Sequence, residues 1–139
     1  MKNHKELIAY FSILLECSHR GSLGMEDGRI LKQQLTVSSE WNRYHGANNA
    51  RLNFIPSKPL SGGWSAETNN QDQFLQVDFG RNVKVSAVAT QGRQDMDQWV
   101  KEYKLAYIEE GKPFTFETYK EDAQEKVKRN KKMITTFST

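Results

Sequence analysis

The chain has 139 residues, of which 37% are apolar and 11% aromatic, and a formal net charge of +3. That is the length of one domain with enough apolar content for a core, which excludes a disordered tail, and no run reaches the ~18–20 apolar residues of a membrane-spanning helix. The small positive charge permits attraction to anionic partners such as phospholipid head groups or sulfated glycans without requiring it.

The first sixteen residues differ from the rest. Lys2 and Lys5 precede the apolar run Leu7-Ile8-Ala9-Tyr10-Phe11-Ser12-Ile13-Leu14-Leu15. A charged start before a short apolar run reads as a leader over residues 1–16. Glu6 and the lack of a small-x-small cleavage site support the alternative, a strand or helix at the domain's edge. Cys17 is the single cysteine, so neither a disulfide within the chain nor a cysteine zinc site can form. No Asn-x-Ser/Thr sequon occurs.

From Gln34 onward, short strands are separated by polar turns. Phe74-Leu75-Gln76-Val77-Asp78-Phe79 alternates, with Leu75, Val77 and Phe79 on one face. After the turn Gly80-Arg81-Asn82, residues 83–90 read as a second strand with Val83, Val85, Ala87 and Ala89 together, so the pair predicts a hairpin. Further strands fit residues 35–38, 51–54, 103–107, 114–116 and 133–137. Residues 56–63 and 91–98 form long loops, the usual seat of binding on a β scaffold. Residues 120–132 are charged and end in Lys126-Val127-Lys128-Arg129-Asn130-Lys131-Lys132. They read as a solvated hairpin rather than a nucleic-acid or heparin patch. The pattern predicts an all-β sandwich or barrel, with no convincing amphipathic helix.

Catalytic constellations are missing. His4, His19 and His45 are scattered, and there is no Gly-x-Ser-x-Gly elbow, phosphate-binding glycine loop or His-Glu-x-x-His. Asp95 and Asp97 have a spacing that could help hold calcium, but two carboxylates fall far short of an oxygen cage. A non-catalytic chain with no cofactor and no metal site is the reading, with calcium as the alternative.

Several stretches together resemble the discoidin, or coagulation factor V/VIII C-type, family. These are Leu23-Gly24-Met25-Glu26-Asp27-Gly28-Arg29-Ile30, Ala50-Arg51-Leu52-Asn53, Gly63-Trp64-Ser65-Ala66, Phe74-Leu75-Gln76-Val77-Asp78-Phe79-Gly80, and Ala89-Thr90-Gln91-Gly92-Arg93 followed by Trp99-Val100-Lys101-Glu102-Tyr103-Lys104-Leu105. They come in family order and at family spacing over about residues 17–139. The resemblance implies an antiparallel β-sandwich of the galactose-binding-like jelly-roll type. It also implies an extracellular or secreted adhesive module that binds anionic phospholipid, carbohydrate, collagen or other cell-surface proteins, and not nucleic acid. By the family pattern, Cys17 is the first half of a disulfide whose partner lies in final strands beyond Thr139, so the domain over 17–139 is incomplete.

The same resemblance places the ligand on loops at one end of the sandwich. The first loop carries Trp41, Asn42, Arg43, Tyr44 and His45; the second carries Phe54, Ile55, Lys58 and Leu60; the third carries Asp95, Met96 and Asp97, with Arg93 at its base. Trp41 and Tyr44 are amphipathic rings suited to a membrane interface. Phe54, Ile55 and Leu60 suit the acyl boundary, although burial of Phe54 or Ile55 is also expected since they continue a strand. Arg43 and Lys58 suit head-group phosphates. Anionic phospholipid is the leading ligand. A carbohydrate site would stack on Trp41 or Tyr44 and bond to Asn42, Asn48 or Asp95. A collagen or receptor trench would use Trp41 and Arg93, where Arg93 is equally suited to a salt bridge. Trp64 and Trp99 read as core.

Overall fold

The computed structural model describes residues 22–85 and 87–109, together with the backbone of short strands at 8–9, 12–13, 117–118, 120–121, 124–125 and 128–129. Strands dominate: β1 (Ile8–Ala9), β2 (Ser12–Ile13), β3 (Leu35–Val37), β4 (Leu75–Val77), β5 (Glu102–Glu109), β6 (Glu117–Thr118), β7 (Lys120–Glu121), β8 (Gln124–Glu125) and β9 (Lys128–Arg129). Helical structure among the described residues is confined to two single turns of 3₁₀ type, Lys32–Gln34 and Ala47–Ala50.

The alternation in residues 74–79 does what period-2 patterning dictates. Leu75, Val77 and Phe79 are buried while Asp78 is exposed. β4 pairs antiparallel with β3, in the register Leu35↔Val77 and Val37↔Leu75. The ladder runs on at both ends through Ser38 N–H to Phe74 O (3.1 Å) and Asp78 N–H to Gln34 O (2.8 Å). The inward residues join Met25, Ile30, Leu35, Ala47 and Val83 in one core, with Leu23, Val37, Val85, Val88, Leu105 and Tyr107 packed against it. Burial of an aliphatic side chain of this kind contributes about 1.5–3 kcal/mol.

Three strand expectations are corrected. The partner of β4 is β3, not residues 83–90, where the described residues 83–85 and 87–90 show a bridge at Ala87 and no ladder. Within 83–90 the inward residues are Val83, Val85 and Val88, and Ala87 is exposed, so the alternation slips by one residue. Residues 51–54 are not a strand. Asn53 adopts φ 52°, a left-handed conformation that asparagine tolerates better than most residues, and it turns the chain there.

β5 is the best-paired strand. β6 and β9 join it antiparallel through Ala106↔Thr118 and Tyr103↔Lys128, while β7 and β8 form a separate hairpin ladder between them. β1 and β2, inside the stretch read as a leader, join β5 in parallel through Ile8↔Lys104 and Ser12↔Ile108. The sheet is therefore mixed, where wholly antiparallel pairing was expected. The expectations for Cys17, the strands 114–116 and 133–137, and the basic side chains of 126–132 lie outside the described residues.

The segment 22–30 closes as a turn through Ile30 N–H to Gly24 O (3.0 Å), which lets Met25 and Ile30 enter the core together. Gly24 has φ 102°, and a Cβ there would lie 2.6 Å from the Arg29 Cβ, so both backbone and space require glycine.

Candidate ligand-binding loops

The segment 61–65 is the common base of the three loops. Trp41 N–H donates to Ser65 O (2.7 Å) and Ser65 N–H donates to His45 O (3.2 Å), which pins the first loop at both ends. Ser61 N–H donates to Tyr44 O (2.9 Å). Buried Asn49 completes the joint, its amide donating to Tyr44 O (2.8 Å) and Ser61 O (2.9 Å). On the other side, Gly62 N–H donates to Asp95 Oδ1 (3.0 Å) and Gly62 O accepts from Gln94 N–H (3.2 Å). Backbone groups buried this way must be paired, and here the pairing joins one loop to the next.

Gln73 holds the first loop from below. This buried side chain accepts from the Ser38 (2.7 Å) and Ser39 (2.6 Å) hydroxyls and donates to Thr68 Oγ1 (2.9 Å) and Asn70 Oδ1 (2.7 Å). Ser39 O in turn accepts from the Trp64 indole N–H (2.9 Å). Trp64 and Trp99 are half-buried and stand outside the main core, contrary to the sequence expectation.

Within the first loop, Asn42 Oδ1 accepts from Tyr44 N–H (2.9 Å) and lies 2.8 Å from His45 Nδ1, folding the segment into a tight turn. The Arg43 guanidinium sits 4.7 Å from the centroid of the Tyr44 ring and bonds to its hydroxyl. Trp41 points outward, 62% exposed. Asn48 is engaged with Arg51 Nε at 2.9 Å.

In the second loop Phe54 is half-buried, whereas Ile55 is 85% exposed, Leu60 38% exposed and Lys58 exposed. The turn is closed by Leu60 N–H to Ser57 O (2.8 Å), and the Lys58–Pro59 peptide is cis.

The third loop is closed at its neck by Arg93 N–H to Gln98 O (2.9 Å) and tightened at its tip by Gln98 N–H to Met96 O (2.8 Å), leaving Met96 55% exposed. Arg93 forms a bidentate pair with Asp95 (Nε–Oδ1 3.0 Å, Nη2–Oδ2 2.9 Å), and its Nη1 donates to Gln98 Oε1 (2.8 Å). Bonding to Arg93 holds the Asp95 carboxyl below the usual carboxylate value, against the effect of burial, and the Gly62 N–H adds to the lowering. Partial burial pushes the His45 imidazole below its ordinary value; the Arg93 charge acts in the same sense and Asp95 against it. Asp97 is exposed and has an interaction of its own.

A cleft of about 670 Å³ runs from these loops to the inner face of β4; Trp41, His45, Trp64, Arg93 and Trp99 are among its lining residues. Among the described residues, no group of three or more His, Cys, Asp or Glu side chains is arranged to hold a metal ion. No helix among them is long and apolar enough to cross a membrane.

The sequence reading missed the joints: Asn49, Ser61, Gly62, Ser65 and Gln73. Only the Gly62-Gly63 pair carried a signal, since adjacent glycines in a loop mark close backbone approach.

A strand-dominated scaffold that presents knit loops with outward apolar side chains has the form of a binding module. A family profile described as the F5/8 type C domain matches residues 34–139, and the chain belongs to that family. The family implies a β-sandwich. Mouse coagulation factor V is 39% identical over 95 residues, 64% of this chain and 4% of that protein. Human retinoschisin is 33% identical over 97 residues, 66% of this chain and 42% of that protein. Mouse EGF-like repeat and discoidin I-like domain-containing protein 3 is 35% identical over 125 residues, 82% of this chain and 24% of that protein. The chain thus spans less than half the length of these relatives. Relatives such as coagulation factor V, retinoschisin and silkworm hemocytin are secreted or extracellular proteins.

Proposed function

We propose that this chain is a non-catalytic, extracellular adhesive module that docks on anionic phospholipid through its three loops. One observation carries the reading. Of the five large hydrophobic side chains exposed among the described residues, four (Trp41, Ile55, Leu60 and Met96) stand on these loops. Apolar side chains exposed on connected loops mark an interaction surface. Exposed Arg43 and Lys58 stand on the same loops and supply the complement to phosphate.

Several of the groups that the other ligand classes need are occupied within the chain. Arg93 is already paired with Asp95, which removes the cation a collagen trench would use. The Tyr44 ring carries Arg43 over its face, which removes one stacking platform for a sugar. A saccharide in the 670 Å³ cleft is the second reading, favoured by the three tryptophans Trp41, Trp64 and Trp99 along its lining. The jelly-roll arrangement of the sandwich belongs to the proposal, by likeness to the family.

The test is binding of the full chain to vesicles containing phosphatidylserine, set against vesicles of phosphatidylcholine alone. Trp41→Ala combined with Lys58→Ala is expected to weaken phosphatidylserine binding by about tenfold or more, Lys58 alone supplying ~1 kcal/mol. Unchanged binding in the double variant would refute the loop mechanism. Binding to a glycan array without binding to either vesicle would transfer the function to the cleft.

A further inference from the structure

We infer that Asp95 is a positioning residue: it clasps the third loop onto the second at Gly62, so that Leu60 and Met96 are presented to a ligand surface as one unit. The inference rests on the lipid reading for its consequence and on geometry for the clasp itself.

The clasp is reciprocal. Gly62 gives its N–H to Asp95 Oδ1 at 3.0 Å and takes the Gln94 N–H on its carbonyl at 3.2 Å, so both polar groups of one buried peptide segment are spent on the neighbouring loop. Asp95 is itself immobilised, because Arg93 grips both of its oxygens and is fixed in turn by Gln98. The approach depends on glycine: a Cβ at position 62 would lie 2.5 Å from Asp95 Oδ1 and 2.9 Å from the Asp95 backbone nitrogen. At position 63 it would lie 3.0 Å from the Arg93 Cγ. Leu60 is two residues from Gly62, and Met96 directly follows Asp95. With 3.8 Å per Cα step and about 6 Å across the contact, their Cα atoms lie within roughly 17 Å of each other. The two exposed apolar side chains therefore flank the clasp, and separating the two loops at Gly62 must break it.

A carboxylate facing an anionic membrane is otherwise unfavourable, and this gives the test its sign. By charge alone, removing Asp95 would raise affinity for phosphatidylserine vesicles about fivefold. If the carboxylate positions the loops, Asp95→Ala lowers that affinity instead.

The experiment has two arms on the full chain. In the first, amide hydrogen exchange is followed by NMR in wild-type, Asp95→Asn and Asp95→Ala protein. Gly62 and Gln94 are expected to exchange at least tenfold faster in Asp95→Ala, and less so in Asp95→Asn, which keeps one oxygen for the Gly62 N–H. The Ser61 amide, bonded to Tyr44, and the amides of β4 serve as controls that keep their rates if the fold is intact. Unchanged exchange at Gly62 overturns the clasp. In the second arm, vesicles of phosphatidylserine and phosphatidylcholine are titrated with each variant. A severalfold loss of affinity in Asp95→Ala supports the positioning role; a gain overturns it. Wild-type protein that ignores these vesicles removes the lipid reading, and the exchange arm alone then decides whether the clasp exists.

Discussion

Replacing Ile55 by alanine separates binding from folding more cleanly than any other change on the loops. Ile55 is 85% exposed, so its side chain contributes almost nothing to the folded chain's own packing. Truncation of such a surface residue should leave stability within about 0.5 kcal/mol of the parent. Transfer of the three lost carbons into the acyl boundary would be worth about 0.8 kcal/mol each, or about 2.4 kcal/mol on complete insertion. At about 1.4 kcal/mol per tenfold, affinity falls roughly 50-fold on full insertion and roughly sevenfold on half insertion. The assay is a vesicle titration at fixed phosphatidylserine content and ~0.1 M salt, with a thermal melt of each protein alongside. The loss in Ile55→Ala should persist as salt is raised, because apolar transfer is not screened. The loss in Lys58→Ala should shrink over the same range. Binding by Ile55→Ala within twofold of the parent, with the melt unchanged, would refute insertion of the second loop.

Gln73→Ala removes four hydrogen bonds from a buried site, and at about 1 kcal/mol net each, softened by solvent entry, stability should fall ~3 kcal/mol. Urea unfolding should show a lower midpoint at constant slope. Gly62→Ala places a methyl group 2.5 Å from Asp95 Oδ1 and should destabilise by about 1–3 kcal/mol, read in the same urea assay. Asp95 titrates below its ordinary 3.8 in the folded chain, so its contribution is complete above that value and is lost as pH falls through the lowered one. Asp95→Asn should therefore flatten the acid limb of the stability profile. His45 also titrates low in the folded chain, so the unfolded chain takes the proton first and stability declines as pH drops below 6.5. His45→Gln should remove that decline in pH-dependent melts.

The sequence revealed most where side chains alone determine the outcome. The inward set Leu75, Val77 and Phe79 was legible because alternation is a property of residue type, and it positions β4 correctly. The partner of β4 was not legible, since residues 83–90 offer an equally good apolar pattern nearby and only tertiary packing selects β3. Residues 51–54 alternate in type but turn at Asn53, a backbone choice that side-chain patterning does not register. The loops show the same division. Exposure of Lys58 followed from its place between the two prolines Pro56 and Pro59, whereas the choice between Phe54 and Ile55 as the outward residue depended on the turn at Asn53. The joints at Ser61, Gly62 and Ser65 are made largely by backbone groups, which every residue but proline carries, so apart from the glycine pair at 62–63 no residue type announced them.

The position of β5 sets an order on assembly. Its partners come from residues 8–13 and from residues 117–129. The β3–β4 ladder joins segments closer in sequence and lies wholly upstream of β5, so it can form while β5 is still being synthesised. The early strands must then wait, with their edges open, for a partner that leaves the ribosome about a hundred residues later, a separation typical of slow, non-local pairing. During that interval the open edges of β1 and β2 are templates on which a neighbouring chain could pair.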